Sequence, residues 1–429
     1  MSCDVTDEFV PATPTELARF LAENARGPRR RVCPIGGRTA LQFGMTAPPS
    51  EVFLSLRELH HVVDYPARDM TVTVEAGMRV AVLQQLLAGE RQQIPVDIAQ
   101  AERATIGGAI ACNTNGPRRF GYGTFRDYVI GISGVDAGGR SFKGGGRVVK
   151  NVAGYDLCKL LIGSRGTLAV ISQVTLKLRP LPEQTGCFWF LFDQYGEVEN
   201  VLQRLLTSAA RPVAIEVLNR PAAELVVHQA RLSLPHEGVV LCVAVEGSPR
   251  EVEWQLDTLR REIVPFGVQQ LERLDGPAAT GLLASLTDFQ VCADDPLAFQ
   301  ANLRPSRCLE FAEQAAAMNV AALCHAGNGI VIGQLPDETA TAARASELLS
   351  PLRTLARLGD GNLVVLHCDP EWQAEFPMCG EPEPAWPIMQ QLKRQLDPQG
   401  LLNPGRFVDG ALDAYNAVSL KKSSTTLGG

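Results

Sequence analysis

Hydrophobic and polar positions follow two different patterns along this chain, and the change falls near residue 182. In the first part, short apolar runs end at glycine-rich loops, as where VCPI at 32–35 runs into GGRT. The stretch 129–143 predicts two strands around a glycine turn. Thr13-Pro14-Thr15-Glu16 predicts a capping box with proline in the first helical turn. The first part is therefore expected to mix short strands and helices.

Beyond Pro182 the apolar runs become longer. CFWFLF at 187–192 and VVLCVAVEG at 239–247 predict buried strands, and the alanine-rich stretch 308–323 predicts a helix. We expect an antiparallel sheet with helices packed on one face. A last helix, Ile388 to Leu396, precedes DPQGLLNPGRF, and the tail from Asp409 lacks apolar periodicity.

The predicted fold class is α+β. A chain of 429 residues exceeds the usual size of one core, so more than one domain is expected. The predicted parts are a first domain at 1–182, a cap domain at 183–385, a C-terminal segment at 386–408 that packs on the first domain, and a disordered tail at 409–429.

Composition narrows the class of partner. The net charge is -7 and no basic block interleaves with aromatic residues, which argues against nucleic acid. The 11 cysteines are scattered and form no C-x-x-C, so neither disulfides nor a zinc or iron-sulfur site is indicated. There is no signal peptide pattern and no apolar run near the ~20 residues of a membrane span. We expect a cytoplasmic location, with peripheral membrane association only through partners.

Three glycine loops carry the candidate chemistry. The first is PIGGRT at 34–39, the second is TIGGAIACNTNG at 105–116, and the third includes KNVAGYD at 150–156 and Gly166. Successive glycines let backbone N–H groups point into one concavity that suits phosphate oxygens. One such loop alone is better explained as an ordinary turn, but three in one half of a chain favour a cofactor site.

The three loops in this order resemble the FAD-binding domain of the vanillyl-alcohol oxidase and p-cresol methylhydroxylase family, over residues 8–182. The closing DPQGLLNPGRF resembles the segment with which that family returns from its cap domain. Within the family, GGRVVKNVAGYD is most similar to the FAD-binding subunits of bacterial glycolate oxidases. The resemblance implies FAD contacts, largely through backbone, at Pro34, Gly36, Gly37, Arg38, Thr39, Thr105, Gly107, Gly108, Asn115, Gly116, Gly121, Arg126, Gly166, Val170 and Ile171. The first loop has no histidine or cysteine, so the FAD is expected to be non-covalent.

The catalytic pattern of the family is incomplete here. Relatives that oxidise 2-hydroxy acids carry HxGDGNxH and a later EHG, whereas this chain has HAGNGIVI from His325 to Ile332 and no EHG. We therefore expect no metal, because a single histidine is a poor ligand set. His325 is either structural or adjacent to the flavin. Arg406 either approaches the flavin or caps the last helix.

The resemblance implies a flavoprotein subunit of a glycolate oxidase-like complex, oxidising a small 2-hydroxy acid. Its partners would be a second, catalytic flavoprotein subunit and an iron-sulfur subunit. Two alternatives stay open: a stand-alone FAD-dependent D-lactate or glycolate dehydrogenase, and a non-catalytic scaffold that keeps the fold.

Overall fold

The structure is a computed structural model that describes residues 7–43, 50–146, 156–291, 296–373 and 375–406. The chain divides into two compact units. The first unit comprises Met1–Thr114, Thr124–Leu181 and Gln373–Gly429, and the second comprises Asn115–Gly123 and Pro182–Trp372. The KNVAGYD motif up to Tyr155 and the predicted disordered tail lie outside the described residues.

The first unit contains short strands and six helices among its described residues. The strands are β1 Glu8–Phe9, β2 Val32–Ile35, β3 Val52–Ser55, β4 Val62–Asp64, β5 Thr71–Glu75, β6 Gln92–Gln93, β7 Val129–Val135, β8 Ser141–Gly145, β9 Val170–Lys177 and β10 Arg179–Pro180. The helices are α1 Pro14–Arg26, α2 Val80–Gly89, α3 Ile106–Cys112, α5 Phe125–Tyr128, α6 Leu157–Leu161 and α13 Trp386–Leu396.

Two larger sheets organise the first unit, and β6 and β10 pair as a separate two-stranded antiparallel sheet. The strands β1, β3 and β2 form a parallel sheet with β3 in the centre. The strands β4, β5, β9, β7 and β8 form a five-stranded antiparallel sheet in that order. The first and third glycine loops lie at strand ends, because one follows β2 and the other precedes β9.

The start of α1 shows how sequence sets a boundary. The Thr13 side chain accepts a hydrogen bond from the Glu16 N–H at 3.2 Å, as the predicted cap requires. The Glu16 carboxylate accepts from the Ala12 N–H at 2.9 Å, one residue before the cap. The helix therefore begins where the sequence predicts. The bond to the Glu16 carboxylate comes from the N–H of Ala12, whereas a capping box would use the N–H of Thr13.

The second unit is built on one large antiparallel sheet. Its strands are β11 Gln184–Phe192, β12 Ala214–Leu218, β13 Val239–Gly247, β14 Gln270–Asp275, β15 Leu297–Asn302, β16 Ala321–His325, β17 Ile330–Gln334 and β18 Asn362–Cys368. They lie in the order β14-β11-β13-β12-β16-β17-β15-β18. The helices are α4 Arg119–Tyr122, α7 Tyr195–Leu205, α8 Arg220–Ala230, α9 Pro249–Ile263, α10 Gly276–Asp288, α11 Cys308–Ala317 and α12 Ala342–Leu358.

Helices cover both faces of this sheet, so the prediction of one covered face is wrong. On β11, Trp189 belongs to a buried cluster with Val226 of α8 and Leu282 of α10. Gly186, also on β11, faces the other side of the sheet. A Cβ added to it would lie 2.9 Å from the Leu256 side chain of α9. Because nearly every residue of β11 and β13 is buried, their continuous apolar runs reflect a sheet covered on both sides.

The predicted helix over 308–323 is also too long. The helix α11 ends at Ala317, where Asn319 takes a left-handed conformation with φ of 56°. The Val320 N–H donates to the Ala315 carbonyl at 2.9 Å, and the Asn319 N–H donates to the Ala316 carbonyl at 3.0 Å. These two bonds form a Schellman motif that ends the helix before β16 begins.

None of the helices in the described ranges is both long and apolar enough to span a bilayer.

Candidate functional site

The first glycine loop follows β2, and four of its N–H groups have no hydrogen-bond acceptor among the described residues. In the described part of the chain, no hydrogen-bond acceptor is paired with the N–H groups of Gly36, Gly37, Arg38 and Thr39. Arg38 has a left-handed φ of 58°, which curves the loop so that successive amides share one concavity. The loop therefore offers a set of donors that suits the oxygens of a pyrophosphate.

The glycines of this loop are required by contact with neighbouring protein. A Cβ on Gly36 would lie 2.0 Å from Thr105 Oγ1, and one on Gly37 would lie 1.8 Å from the Arg103 carbonyl oxygen. Both contacts are far shorter than real Cβ contacts. The first loop thus reaches its position only because glycine lets it lie directly on the segment that leads into the second loop.

The second loop begins the short helix α3. The Thr105 side chain caps it by accepting from the Gly108 N–H at 3.4 Å. The Gly107 N–H donates to the Ala76 carbonyl at 2.8 Å, and a Cβ there would lie 2.6 Å from the Ala76 methyl group. Close packing of α3 on the end of β5 therefore fixes this loop.

The third loop is attached to the same helix. Arg165 and Gly166 both have left-handed φ angles, 53° and 66°. The Arg165 N–H donates to the Ala111 carbonyl at 2.7 Å, and the Gly163 N–H donates to the Ile110 carbonyl at 3.0 Å. The carbonyl end of α3 therefore holds the loop that leads into β9.

The three loops meet at one cleft in the first unit. Among the residues with predicted FAD contacts, the structure brings together Pro34, Gly36, Thr105, Gly107, Gly108, Gly166, Val170 and Ile171. Four further residues line it for which no FAD contact was predicted: Ile35, Leu56, Ala111 and Ala169. Ile35 and Ala111 lie within the first two glycine loops and Ala169 lies just after Gly166, whereas no sequence motif indicates Leu56. Among the described residues, the lining carries no charged side chain, so contacts to a ligand there would be made mainly by backbone and apolar groups.

The C-terminal segment returns to this cleft through a buried ion pair. Lys393 Nζ contacts Asp397 Oδ2 at 2.6 Å, and both side chains are at most 3% exposed. The same ammonium donates to the Thr167 carbonyl at 2.8 Å and the Leu402 carbonyl at 2.9 Å. Asn403 Nδ2 donates to the Arg165 carbonyl at 2.8 Å. These bonds connect α13 and the NPGR segment to both ends of Gly166.

Positive charge lies near the end of α3. Burial raises the pKa of the Cys112 thiol, and the charges of Arg165 and Arg406 lower it. The Arg406 Nε is buried, and no hydrogen-bond partner for it occurs among the described residues. The helix α13 ends with the Asp397 N–H donating to the Lys393 carbonyl at 2.8 Å, and both alternatives for Arg406, approach to the flavin and capping of this helix, stay predictions.

Other predicted FAD residues make different contacts. The Arg38 side chain pairs with Glu8 at 3.0 Å, and Arg126 Nη1 donates to the Lys159 carbonyl at 3.4 Å. Asn115, Gly116 and Gly121 belong to the second unit. There the Asn115 carbonyl accepts from Gln290 Nε2, the Gly116 carbonyl accepts from the Arg119 N–H, and the Gly121 N–H donates to the Val213 carbonyl.

The candidate catalytic histidine lies in the second unit, beside a carboxylate that the sequence did not indicate. His325 ends β16 and faces Glu216 on β12 in the antiparallel register. Its Nδ1 lies 2.7 Å from Glu216 Oε2, with side-chain exposures of 5% and 1%. Ile332, at the position of the second family histidine, is part of the buried apolar cluster. Across the described ranges, no group of three His, Cys, Asp or Glu side chains is placed to hold a metal.

The cleft of the first unit fits FAD. The four amides of the first loop that have no acceptor among the described residues suit the pyrophosphate, and the small, apolar lining suits flat rings. Cys33 is 1% exposed and burial keeps the Cys112 thiol protonated, which makes both poor nucleophiles for attachment to the ring.

We expect acid precipitation of the holoprotein to release all of its flavin into the supernatant, because the Cys33 thiol is buried and the pKa of the Cys112 thiol is raised, so neither should attach to the flavin ring. The absorbance of supernatant and pellet measures this directly. A yellow pellet that persists in the Cys112→Ser variant but not in Cys33→Ser would instead identify Cys33 as an attachment site.

Two sequence families match the chain. Residues 8–145 match the family described as FAD binding domain, and residues 380–407 match the C-terminal domain of FAD linked oxidases. The first match covers the first two glycine loops, and the second covers α13 and the NPGR segment. Both therefore fall on the elements that form the cleft or hold it.

Curated relatives match over different lengths. Glycolate oxidase subunit GlcD of Bacillus subtilis is 24% identical over 423 residues, 93% of this chain and 88% of that protein. Glycolate oxidase subunit GlcE of Escherichia coli is 35% identical over 130 residues, 30% of this chain and 37% of that protein. D-2-hydroxyglutarate dehydrogenase of Xanthomonas citri is 39% identical over 151 residues, 35% of this chain and 32% of that protein. The last two matches thus span only about a third of those proteins.

Solved structures share the fold. Substrate-bound p-cresol methylhydroxylase superposes with a TM-score of 0.70 at 16% identity, over 93% of this chain and 88% of that one. An alkyldihydroxyacetonephosphate synthase gives a TM-score of 0.65 at 17% identity, over 92% of this chain and 75% of that one. The chain is thus an FAD-dependent oxidoreductase that carries the FAD binding domain and the C-terminal segment of the FAD linked oxidases, as the resemblance of its glycine loops implies.

Proposed function

We propose that this chain is the FAD-binding subunit of a glycolate oxidase-like complex that oxidises a small 2-hydroxy acid, glycolate to glyoxylate, and passes the electrons to partner subunits. The observation that carries the proposal is the match to a glycolate oxidase subunit over 93% of this chain and 88% of that protein. The partial match to a second glycolate oxidase subunit adds support.

The proposed reaction divides into tasks that the residues perform separately. FAD supplies the two-electron acceptor when it is bound. Gly36, Gly37 and the neighbouring amides hold its phosphates, and the Lys393–Asp397 pair keeps the third loop in place. In the stand-alone alternative described below, His325 would take the hydroxyl proton, and Glu216 would hold its ring in position. We assign Arg406 to the electrostatics of the flavin site, because its charge acts on Cys112 at the end of α3.

The partner subunits follow from the direction of electron flow. Electrons that leave reduced FAD one at a time need one-electron carriers, such as iron-sulfur clusters. These clusters are bound by groups of cysteine thiolates. In the ranges that the structure describes, no such cysteine group occurs. An iron-sulfur subunit and a second flavoprotein subunit would therefore supply the remaining chain of carriers, with the complex in the cytoplasm or on the inner face of the membrane.

A second candidate is a stand-alone FAD-dependent dehydrogenase for D-lactate or another D-2-hydroxy acid. The Glu216–His325 pair favours it, because a histidine oriented by a carboxylate is a common general base. The relatives named D-2-hydroxyglutarate dehydrogenase and D-lactate dehydrogenase also favour it. A scaffold without cofactor is disfavoured, since the cleft keeps its glycines and its unpaired amides.

Anaerobic spectroscopy tests the proposal. We expect the purified chain to be yellow, to keep its flavin oxidised when glycolate is added, and to lose the flavin band when the partner subunits are also present. Bleaching of the pure chain by glycolate or D-lactate would favour the stand-alone dehydrogenase. A colourless chain that takes up no added FAD would favour the scaffold and contradict both enzymatic candidates.

A further inference from the structure

A buried asparagine in the C-terminal segment has one polar atom that the protein does not use. Asn403 is 4% exposed. Its Oδ1 is buried and has no hydrogen-bond partner among the residues that the structure describes. A buried polar atom without a partner is costly, and in native proteins such an atom usually bonds to an ordered water or a ligand. The Asn403 Oδ1 therefore calls for a partner that the described residues do not supply.

The other half of the same amide fixes its orientation. Asn403 Nδ2 donates to the Arg165 carbonyl at 2.8 Å. In the flipped amide, Oδ1 would face that carbonyl oxygen, and two acceptors would meet without a proton between them. Oδ1 is therefore the atom left without a partner. Because an amide oxygen only accepts hydrogen bonds, its partner must be a donor.

The backbone of Asn403 is held in place as well. Its N–H donates to the Val32 carbonyl at 3.0 Å, next to the parallel bridge between Val32 and Leu402. Its φ is 42°, a left-handed value that asparagine adopts more readily than most residues and that glycine adopts without strain. Since glycine would suit this backbone equally well, the backbone does not explain the side chain.

Contacts around Gly166 place this amide beside the FAD cleft. Gly166 and Pro34 both line the cleft. A Cβ built on Gly166 would lie 3.1 Å from Asn403 Nδ2 and 3.7 Å from Pro34 Cγ. The Asn403 amide, the third loop and the start of the first loop therefore meet at one point next to the cleft.

Two more unused polar atoms lie in the same segments. Ser164 is 3% exposed, and its Oγ is buried without a hydrogen-bond partner in the described part of the chain. Arg406 Nε, three residues after Asn403, is buried and lacks a partner there too. Unused polar atoms thus occur together where the C-terminal segment meets the third loop, as expected beside a site that takes a polar ligand.

The neighbouring amides indicate which part of FAD lies here. The N–H groups that suit the pyrophosphate begin at Gly36, two residues after Pro34. In FAD the pyrophosphate is flanked by the ribityl chain on one side and by the ribose on the other, and both carry hydroxyl groups. A hydroxyl can donate to an amide oxygen, whereas the ionised phosphates have no proton to donate. A sugar hydroxyl is therefore the donor that fits.

We propose that Asn403 is a cofactor-binding residue whose Oδ1 accepts a hydrogen bond from a sugar hydroxyl of FAD beside the pyrophosphate. Its Nδ2 holds the third loop at the same time, so one amide connects the C-terminal segment, the loop and the cofactor. The C-terminal segment then contacts FAD directly, in addition to the support that Lys393 gives to the third loop. The contact does not depend on which acid the complex oxidises.

Titration of the apoprotein with three ligands tests the contact. FAD carries both sugars, ADP carries only the ribose, and FMN carries only the ribityl chain. Asn403→Gly removes both polar atoms of the side chain without straining the left-handed backbone. We expect the Kd of FAD and of one fragment to rise about tenfold more than the Kd of the other fragment, the effect of one hydrogen bond. The fragment that is weakened identifies the sugar that donates.

Asn319→Gly is the matched control. Asn319 has a left-handed φ of 56°, is exposed, and follows α11 in the second unit. The variant makes the same replacement in nearly the same backbone conformation, at a residue that does not line the cleft. We expect wild-type Kd values for all three ligands.

A crystal structure of the wild-type chain with FAD measures the contact without any substitution. We expect a sugar hydroxyl of FAD within about 3.0 Å of Asn403 Oδ1. This measurement decides the question if Asn403→Gly does not fold. A water molecule or a protein group as the partner of Oδ1 would overturn the proposal.

The titrations can overturn it as well. Equal losses of affinity for FAD, ADP and FMN would mean that Asn403 only holds the third loop through Arg165. Unchanged Kd values for all three ligands would mean that FAD makes no bond to Oδ1. Because no substrate is used, either result leaves the proposed oxidation of glycolate standing. Equally, a complex that does not oxidise glycolate would leave this contact standing.

Discussion

Replacing Lys393 with methionine should lower the free energy of unfolding of the first unit by about 3–5 kcal/mol, because the Asp397 carboxylate is left buried without its cation. It also removes the donors to the Thr167 and Leu402 carbonyls. The midpoint of thermal unfolding, followed by flavin release, should fall by about 10 °C or more.

An exposed ion pair provides the control. Lys159 contacts Asp156 at 2.9 Å with side-chain exposures of 53% and 48%. Lys159→Met should change the free energy of unfolding by less than about 0.5 kcal/mol, as for other surface pairs. Equal midpoints for the Lys393 and Lys159 variants would mean that the C-terminal segment does not stabilise the third loop.

Replacing Gly37 with alanine should weaken FAD binding by about a hundredfold. The added Cβ would lie 1.8 Å from the Arg103 carbonyl oxygen and 2.5 Å from its carbon, both backbone atoms. The loop must move away, which displaces the unpaired amides at 36–39 from their shared concavity. Strain of up to about 3 kcal/mol corresponds to a loss of affinity of about a hundredfold. Fluorescence titration of the apoprotein with FAD measures it.

Gly89, the last residue of α2, is the matched glycine for comparison. Nothing lies within 4 Å of a Cβ built there. Gly89→Ala should therefore keep wild-type affinity for FAD and stabilise the helix by about 0.5–1 kcal/mol. Wild-type affinity in Gly37→Ala would show that the first loop does not hold the cofactor in the conformation described above.

Local signals in the sequence predict local structure well in this chain. The threonine cap and proline fix the start of α1, and the apolar runs at 32–35 and 239–247 coincide with β2 and β13. The glycine turn between β7 and β8 also lies where expected. In each case the residues that decide the structure are within a few positions of one another.

The predictions from sequence are wrong where contacts between residues far apart in the chain decide the structure. Alanine has high helix propensity, so the sequence predicts a helix over the whole of 308–323. Residues 321–325 instead form β16, between two strands that the sequence alone does not place beside them. The prediction that helices cover one face of the large sheet is wrong for the same reason. Both errors come from tertiary contacts that override local preference.

The residues of the candidate site likewise fall into two groups, those that the sequence indicates and those that it does not. Glycine loops are visible in sequence because backbone conformation demands a particular residue. Lys393 and Thr167 are 226 residues apart, Asn403 and Arg165 are 238 apart, and Glu216 and His325 are 109 apart. A lone lysine, asparagine or glutamate gives no sign of such a partner.

The first unit is not a continuous stretch of polypeptide, because residues 115–123 and 182–372 belong to the second. Truncation after residue 181 would delete Lys393 and Asn403, the groups that hold Thr167 and Arg165. A gene fragment that ends there should therefore yield a flavin domain with an unsupported third loop. A frameshift or protease cut late in the chain would, for the same reason, impair a cofactor site whose glycines are encoded near its beginning.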